Sequence, residues 1–248
     1  MEQRESEVTS MAKLTTQYLD LEEVKIAYRE HGAGPVLILL HGNSASKGFF
    51  SKYQTVHFQM FRTIAIDSRG HGETLSDDTH YSISQYSDDV IALCRAMGIR
   101  EAGVIGHSDG GNIALFLAYK APEIFKKIVA ISPNYLVSGT TDGTLRFLRS
   151  TAKLLRALEK LGLPTRKAIL RYDLMLTDIG ISAEELGNIQ TSLRILYAEH
   201  DMVKEEHILE MGGLIPGATV KKIERCNHLT ILYKEETIED MREYLLEV

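Results

Sequence analysis

The sequence predicts an α/β protein: a mostly parallel, twisted sheet of about eight strands flanked by helices, with a helical insertion past its middle. Three observations lead there. Short apolar runs such as "PVLILL" at 35–40 and "IVAI" at 128–131 recur along the chain, as strands buried on both faces require. Helix-periodic segments closed by Gly or Pro alternate with them, the order of a doubly wound sheet. The alternation lapses over 135–190, where helical patterns occur without a convincing strand. Residues 1–134 and 191–248 therefore read as a core, and 135–190 as a helical cap inserted into it.

In order, "QYLDL" and "VKIAYREHG" read as two early strands. "PVLILLHG", "RTIAID", "AGVIGHS", "KIVAISP", "LRILYAE" and "TVKKIE" supply six more. Between them, "SISQYSDDVIALCRAMG" is a helix that stops at Gly98, "GGNIALFLAYKAP" one that stops before Pro122, and "VKEEHILEMGGLIPG" one closed by Gly and Pro.

A chain of 248 residues carrying a formal charge of -6 suits one large domain and argues against a nucleic-acid surface or a polybasic membrane patch. No apolar run approaches the roughly 18 residues that a membrane span needs, and "MEQRESEVTS" lacks the basic start and apolar core of a secretory signal. The expectation is a cytoplasmic protein without membrane or nucleic-acid partners, either monomer or homodimer. Cys94 and Cys226 form no spaced set, and the scattered histidines lack metal-ligand spacing, so neither a disulfide framework nor a metal site is expected.

In open parallel sheets, ligand chemistry gathers at the carboxyl ends of the strands. Here those ends read "HGNSAS", "DSRGHG", "HSDGG", "EHD" and "RCNH". Gly106 and Gly110 bracket Ser108 in a turn sharp enough to push one hydroxyl outward. An alcohol is a poor nucleophile at neutral pH, so Ser108 needs a base, and the base needs a carboxylate to hold its tautomer. His228 and Asp201 suit those roles, with Glu199 and Asp67 as rival acids. The order Ser108, Asp201, His228 is the nucleophile, acid, base order that accompanies a strand-turn-helix serine.

Through "HGN" at 41–43, "DSRGHG" at 67–72, "GHSDGG" at 106–111, "EHD" at 199–201 and "NH" at 227–228, the chain resembles the α/β-hydrolase superfamily over nearly its whole length. Within it, "SDGG" is similar to the capped small carboxylesterases that include valacyclovir-hydrolase-like enzymes. The resemblance implies an oxyanion hole made by the backbone N–H groups of Asn43 and Asp109. It also makes "DSRGHG" a structural loop. A serine in place of the aspartate nucleophile of dehalogenases and epoxide hydrolases, and the lack of tryptophan, argue against halide or epoxide chemistry.

The expected function is a serine hydrolase acting on a small ester, thioester or related acyl substrate through an acyl-enzyme, without a cofactor. Lactone, amide or carbon–carbon bond hydrolysis, or a slowly turning-over small-molecule receptor, are the alternatives on this fold. Phe49 and Phe50, close after Asn43, are expected to form an apolar acyl pocket, and Leu174 to line its roof. From 144 to 171 the chain holds eight basic residues against Glu159 alone. The expectation there is an amphipathic helix packing Leu145, Leu148, Leu155, Leu158 and Leu161 onto the core, with a solvated basic outer face.

Overall fold

The computed structural model describes residues 14–247; "MEQRESEVTS", the stretch bearing on secretion, lies outside them. Eight strands form one sheet in the order β1-β2-β4-β3-β5-β6-β7-β8. They are β1 (Gln17–Asp20), β2 (Lys25–His31), β3 (Val36–Leu40), β4 (Arg62–Ile66), β5 (Ala102–His107), β6 (Phe125–Ile131), β7 (Ser192–His200) and β8 (Thr219–Asn227). Both β1–β2 and β2–β4 are antiparallel, and every pairing from β4 to β8 is parallel.

The period of two along each strand sends alternate residues to opposite faces, and two cores result. Ile38, Leu40, Val104, Ile128 and Ile195 pack with Val90, Leu93, Ile113, Leu117 and Ile208 of α1 (Ile83–Ala96), α2 (Asp109–Lys120) and α6 (Glu205–Leu214). Leu37, Leu39, Ile105, Val129, Ile131 and Leu196 pack on the other face with Phe50, Phe58, Met241 and Tyr244. Met241 and Tyr244 lie on α7 (Glu235–Leu246), a helix absent from the sequence reading. Ser82 caps α1 by accepting from the Gln85 N–H at 3.1 Å, and Gly98, at φ 67°, ends it in the left-handed conformation that glycine adopts freely.

Between β6 and β7 the chain makes three helices, α3 (Asp142–Lys160), α4 (Arg166–Met175) and α5 (Ala183–Gly187). Three backbone contacts pin the start of this insertion to the loop after β7: the Thr141 N–H donates to Met202 O at 2.9 Å, the Lys204 N–H to Gly139 O at 2.7 Å, and Thr140 bridges Val203. Inward, α3 buries Leu148 and Ala152, and Leu145, Leu155 and Leu158 are half-buried. The expected packing of Leu161 fails: it is 78% exposed, because α3 ends at Lys160 and the chain turns away through Gly162 at φ 85°. Among the described residues no helix is long and apolar enough to cross a membrane.

Candidate active site

The carboxyl edge of β3 to β8 carries the site, and its centre is the junction of β5 with α2. Ser108 sits there at φ 55°, ψ −118°, a conformation that costs on the order of 1–3 kcal/mol outside glycine. The turn tolerates no side chain at its flanks. A Cβ on Gly106 would lie 2.1 Å from Gly110 O, and one on Gly110 would lie 2.1 Å from Leu40 O. The Ser108 N–H donates to Ile131 O at 2.8 Å, fixing the turn to β6.

A cavity of about 70 Å³ opens over this turn, lined by Ser108, Asp109, Asn112, Asn134, Leu148 and His228 among others. Leu174 also lines it, from α4. Residues of the core and of the insertion therefore line one cavity.

His228 follows β8 and is held by two partners. Its Nδ1 lies 2.7 Å from Asp201 Oδ1, so Nδ1 carries a proton toward that carboxylate. Its carbonyl accepts from His107 Nε2 at 2.8 Å; burial lowers the pKa of His107 to about 3, so that imidazole acts as a neutral donor. No hydrogen bond joins the Ser108 hydroxyl to His228 among the described residues, although both groups face the same cavity. Such bonds often form only with substrate present.

Asp201 is the most heavily bonded side chain of the site. Oδ2 accepts from Ser132 Oγ at 2.5 Å and from the Ala198 N–H at 2.9 Å. Oδ1 accepts from His228 and from the Met202 and Val203 N–H groups at 2.7 and 3.2 Å. Burial pushes this carboxyl up, but the bonds from His228, Ser132 and Ala198 outweigh it and hold the pKa below the ordinary value. The rival acids are engaged elsewhere. Glu199 accepts from the Arg225 N–H. Asp67, fully buried, is ion-paired with the equally buried Lys47 at 2.6 Å.

Ser132 was not foreseen from the sequence. It opens "SPN", the ending of β6, and holds φ 51°, so its hydroxyl is aimed by a strained backbone. Asn134 and Asn112, cavity residues also missed, brace each other through an Asn134 N–H to Asn112 Oδ1 bond of 2.7 Å. For Ser132 and Asn134 the available signal is their place just after β6, on the same edge as the other site residues; Asn112 lies on α2.

Asn43 and Asp109 approach the serine from two sides. Gly42 packs so closely that a Cβ on it would lie 3.0 Å from Ser108 Cβ, which brings the Asn43 backbone over the turn. Asp109 is the first residue of α2, where an N–H has no partner within the helix. The Asn43 side chain donates to Asp109 Oδ2 at 2.9 Å and to the carbonyl of Arg171, on α4, at 3.0 Å. Burial raises the Asp109 pKa, and the Asn43 bond works against that rise.

The expected acyl pocket of Phe49 and Phe50 is not where the sequence reading put it. Phe50 is fully buried on the opposite side of β3, with Leu37 and Leu39. Phe49 stacks on His107 and meets Tyr233, and it borders a separate surface hollow with Ser44, Ser46 and Arg171. A short turn over Lys47–Phe50 carries both rings away from the cavity.

Residues 35–160 match the family model described as alpha/beta hydrolase fold. The chain is 32% identical over 113 residues to 2-(acetamidomethylene)succinate hydrolase of Mesorhizobium japonicum, covering 46% of this chain and 41% of that protein. It is 32% identical over 136 residues to a putative carbamate hydrolase, RutD, of a Caulobacter species, covering 50% of each. The chain thus spans half or less of the length of these two relatives. A solved structure of Est816, described as an N-acyl homoserine lactone degrading enzyme, superposes with a TM-score of 0.75 at 24% identity, over 92% of this chain and 100% of that one.

Proposed function

The chain belongs to the alpha/beta hydrolase fold family, and from that premise we propose that it is a serine hydrolase cleaving a small ester, thioester or related acyl bond, with the insertion acting as a cap. The observation that carries this reading is the 2.7 Å His228–Asp201 bond beside a cavity shared by His228 and the strained Ser108.

In this reading Ser108 Oγ attacks the acyl carbon while His228 Nε2 takes its proton, and the acyl C=O becomes an oxyanion facing the N–H groups of Asn43 and Asp109. Collapse of that intermediate breaks the bond to the leaving oxygen or sulfur, which receives the proton from Nε2. A water then repeats the sequence on the acyl-enzyme, giving the acid and restoring Ser108. Asp201, kept ionised, stabilises the transient imidazolium. No cofactor takes part.

A cavity of about 70 Å³ favours a short acyl group beneath the cap, and Leu148 and Leu174 give it apolar walls. The test is hydrolysis of p-nitrophenyl esters from acetate to octanoate by the protein and by Ser108→Ala. Multiple turnovers fastest with the short chains, and lost in the variant, support the reading. Equal rates in both proteins refute it.

A further inference from the structure

Helix α3 has more apolar surface than its packing uses. Leu148 and Ala152 face inward, whereas Phe147, Leu154 and Leu161, each seven residues after the last, are 61%, 58% and 78% exposed. A spacing of seven keeps Phe147 and Leu154 in one row along the helix, and Leu161 stands at its C-terminal cap. Immediately before each stands a cation, Arg146, Lys153 and Lys160, so a second row of positive charge runs parallel to the first. Only Ser150 and Ala157 lie between the rows. Arg149 and Arg156 extend the charge around the helix, and Leu163, Arg166 and Lys167, also exposed, follow it in the chain.

These charges have little to neutralise them. Of the seven cations from Arg146 to Lys167, only Arg156 is ion-paired among the described residues, with Asp173. The chain as a whole is acidic, at -6, whereas residues 144–171 hold eight cations against Glu159 alone, so this segment is a basic patch on an acidic protein. Net charge, the ground for expecting no membrane contact, does not see such segregation.

We propose that the outer face of α3 is a docking surface for an anionic lipid bilayer. A basic row beside exposed Phe and Leu on a helix of low overall hydrophobicity is the pattern of a helix lying in the headgroup region. Phe147, Leu154 and Leu161 enter the acyl boundary while Arg146, Lys153 and Lys160 meet lipid phosphates. A second copy of this chain fits less well. Antiparallel pairing of two α3 helices would set the cationic row against itself, and the row is too short for a coiled-coil seam. The proposal concerns the outer face alone and does not rest on the hydrolase reading.

The experiment is flotation of the full chain with phosphatidylcholine vesicles, with and without phosphatidylglycerol, at low and raised salt. Two variants accompany it, Phe147→Ser/Leu154→Ser and Arg149→Glu/Lys153→Glu, each checked for fold by circular dichroism and for unchanged p-nitrophenyl acetate hydrolysis. The expected result is binding to the phosphatidylglycerol vesicles that weakens with salt and falls at least about tenfold in each variant. Should the apolar variant misfold, the charge variant decides, because its side chains are solvent-exposed. Absent or equal binding to both vesicle types overturns the proposal, as does wild-type binding by a folded variant. So does a wild-type dimer that Phe147→Ser/Leu154→Ser converts to monomer, which would assign the face to a second copy.

Discussion

Replacing Ser132 tests whether the Asp201 carboxylate is held as the structure indicates. Its hydroxyl gives Asp201 a 2.5 Å bond, and hydrogen bonds to charged groups contribute about 1.5–3 kcal/mol each. Ser132→Ala removes that contribution and keeps the strain of φ 51°. Ser132→Gly removes the same bond but relieves roughly 1 kcal/mol of strain. Alanine is therefore expected to cost about 1.5–3 kcal/mol in urea unfolding at neutral pH, and glycine about 1 kcal/mol less, the reverse of the usual order at a buried site. The sign with pH follows from Asp201. Its folded pKa lies below the unfolded value, so its stabilisation is complete above the ordinary carboxylate range and disappears as pH falls through the folded pKa. Losing Ser132 brings the two values closer, so the difference between variant and parent shrinks in acid. Ester hydrolysis is expected to slow about tenfold, equivalent to about 1.4 kcal/mol, because the Ala198, Met202 and Val203 N–H groups still hold the carboxylate. An alanine variant as stable as the parent, or a glycine variant less stable than alanine, would refute the reasoning.

Lys47→Met leaves the buried Asp67 carboxylate without its cation; the expected loss is about 3–5 kcal/mol, read as a lower urea midpoint at unchanged slope. Asn43→Ala removes both the bond to Asp109 and the one to Arg171 O, and kcat/KM on p-nitrophenyl acetate should fall about tenfold; an unchanged value would show that Asn43 does not steady the region around Ser108. Gly106→Ala forces a Cβ to within 2.1 Å of Gly110 O and should yield no soluble folded protein, whereas native-like circular dichroism would mean that the turn can relax.

The strands were legible because buried parallel strands need continuous apolar runs, and their ends located Ser108, Asp201 and His228 on one edge. Helix α7 is not legible: Ile238, Met241 and Leu245 are separated by "ED" and "REY", whose charges mask the three-and-four spacing. Nearness of Phe49 and Phe50 to Asn43 along the chain does not carry over into space, because one short turn takes Phe50 into the core beyond β3. Ser132 escaped notice because a serine before a proline reads as any turn. Its bond to Asp201 shows only in three dimensions.

The stitching of Gly139–Thr141 to Met202–Lys204 joins the foot of the insertion to the loop that carries Asp201. The two segments are far apart in sequence but mechanically one part. A chimera that imports another protein's insertion at 135–190 while keeping the native 201–204 would meet mismatched backbone partners beside the carboxylate. The unit that can be exchanged intact is the insertion together with that loop, so the insertion's share of the cavity wall and the setting of Asp201 are inherited as a pair.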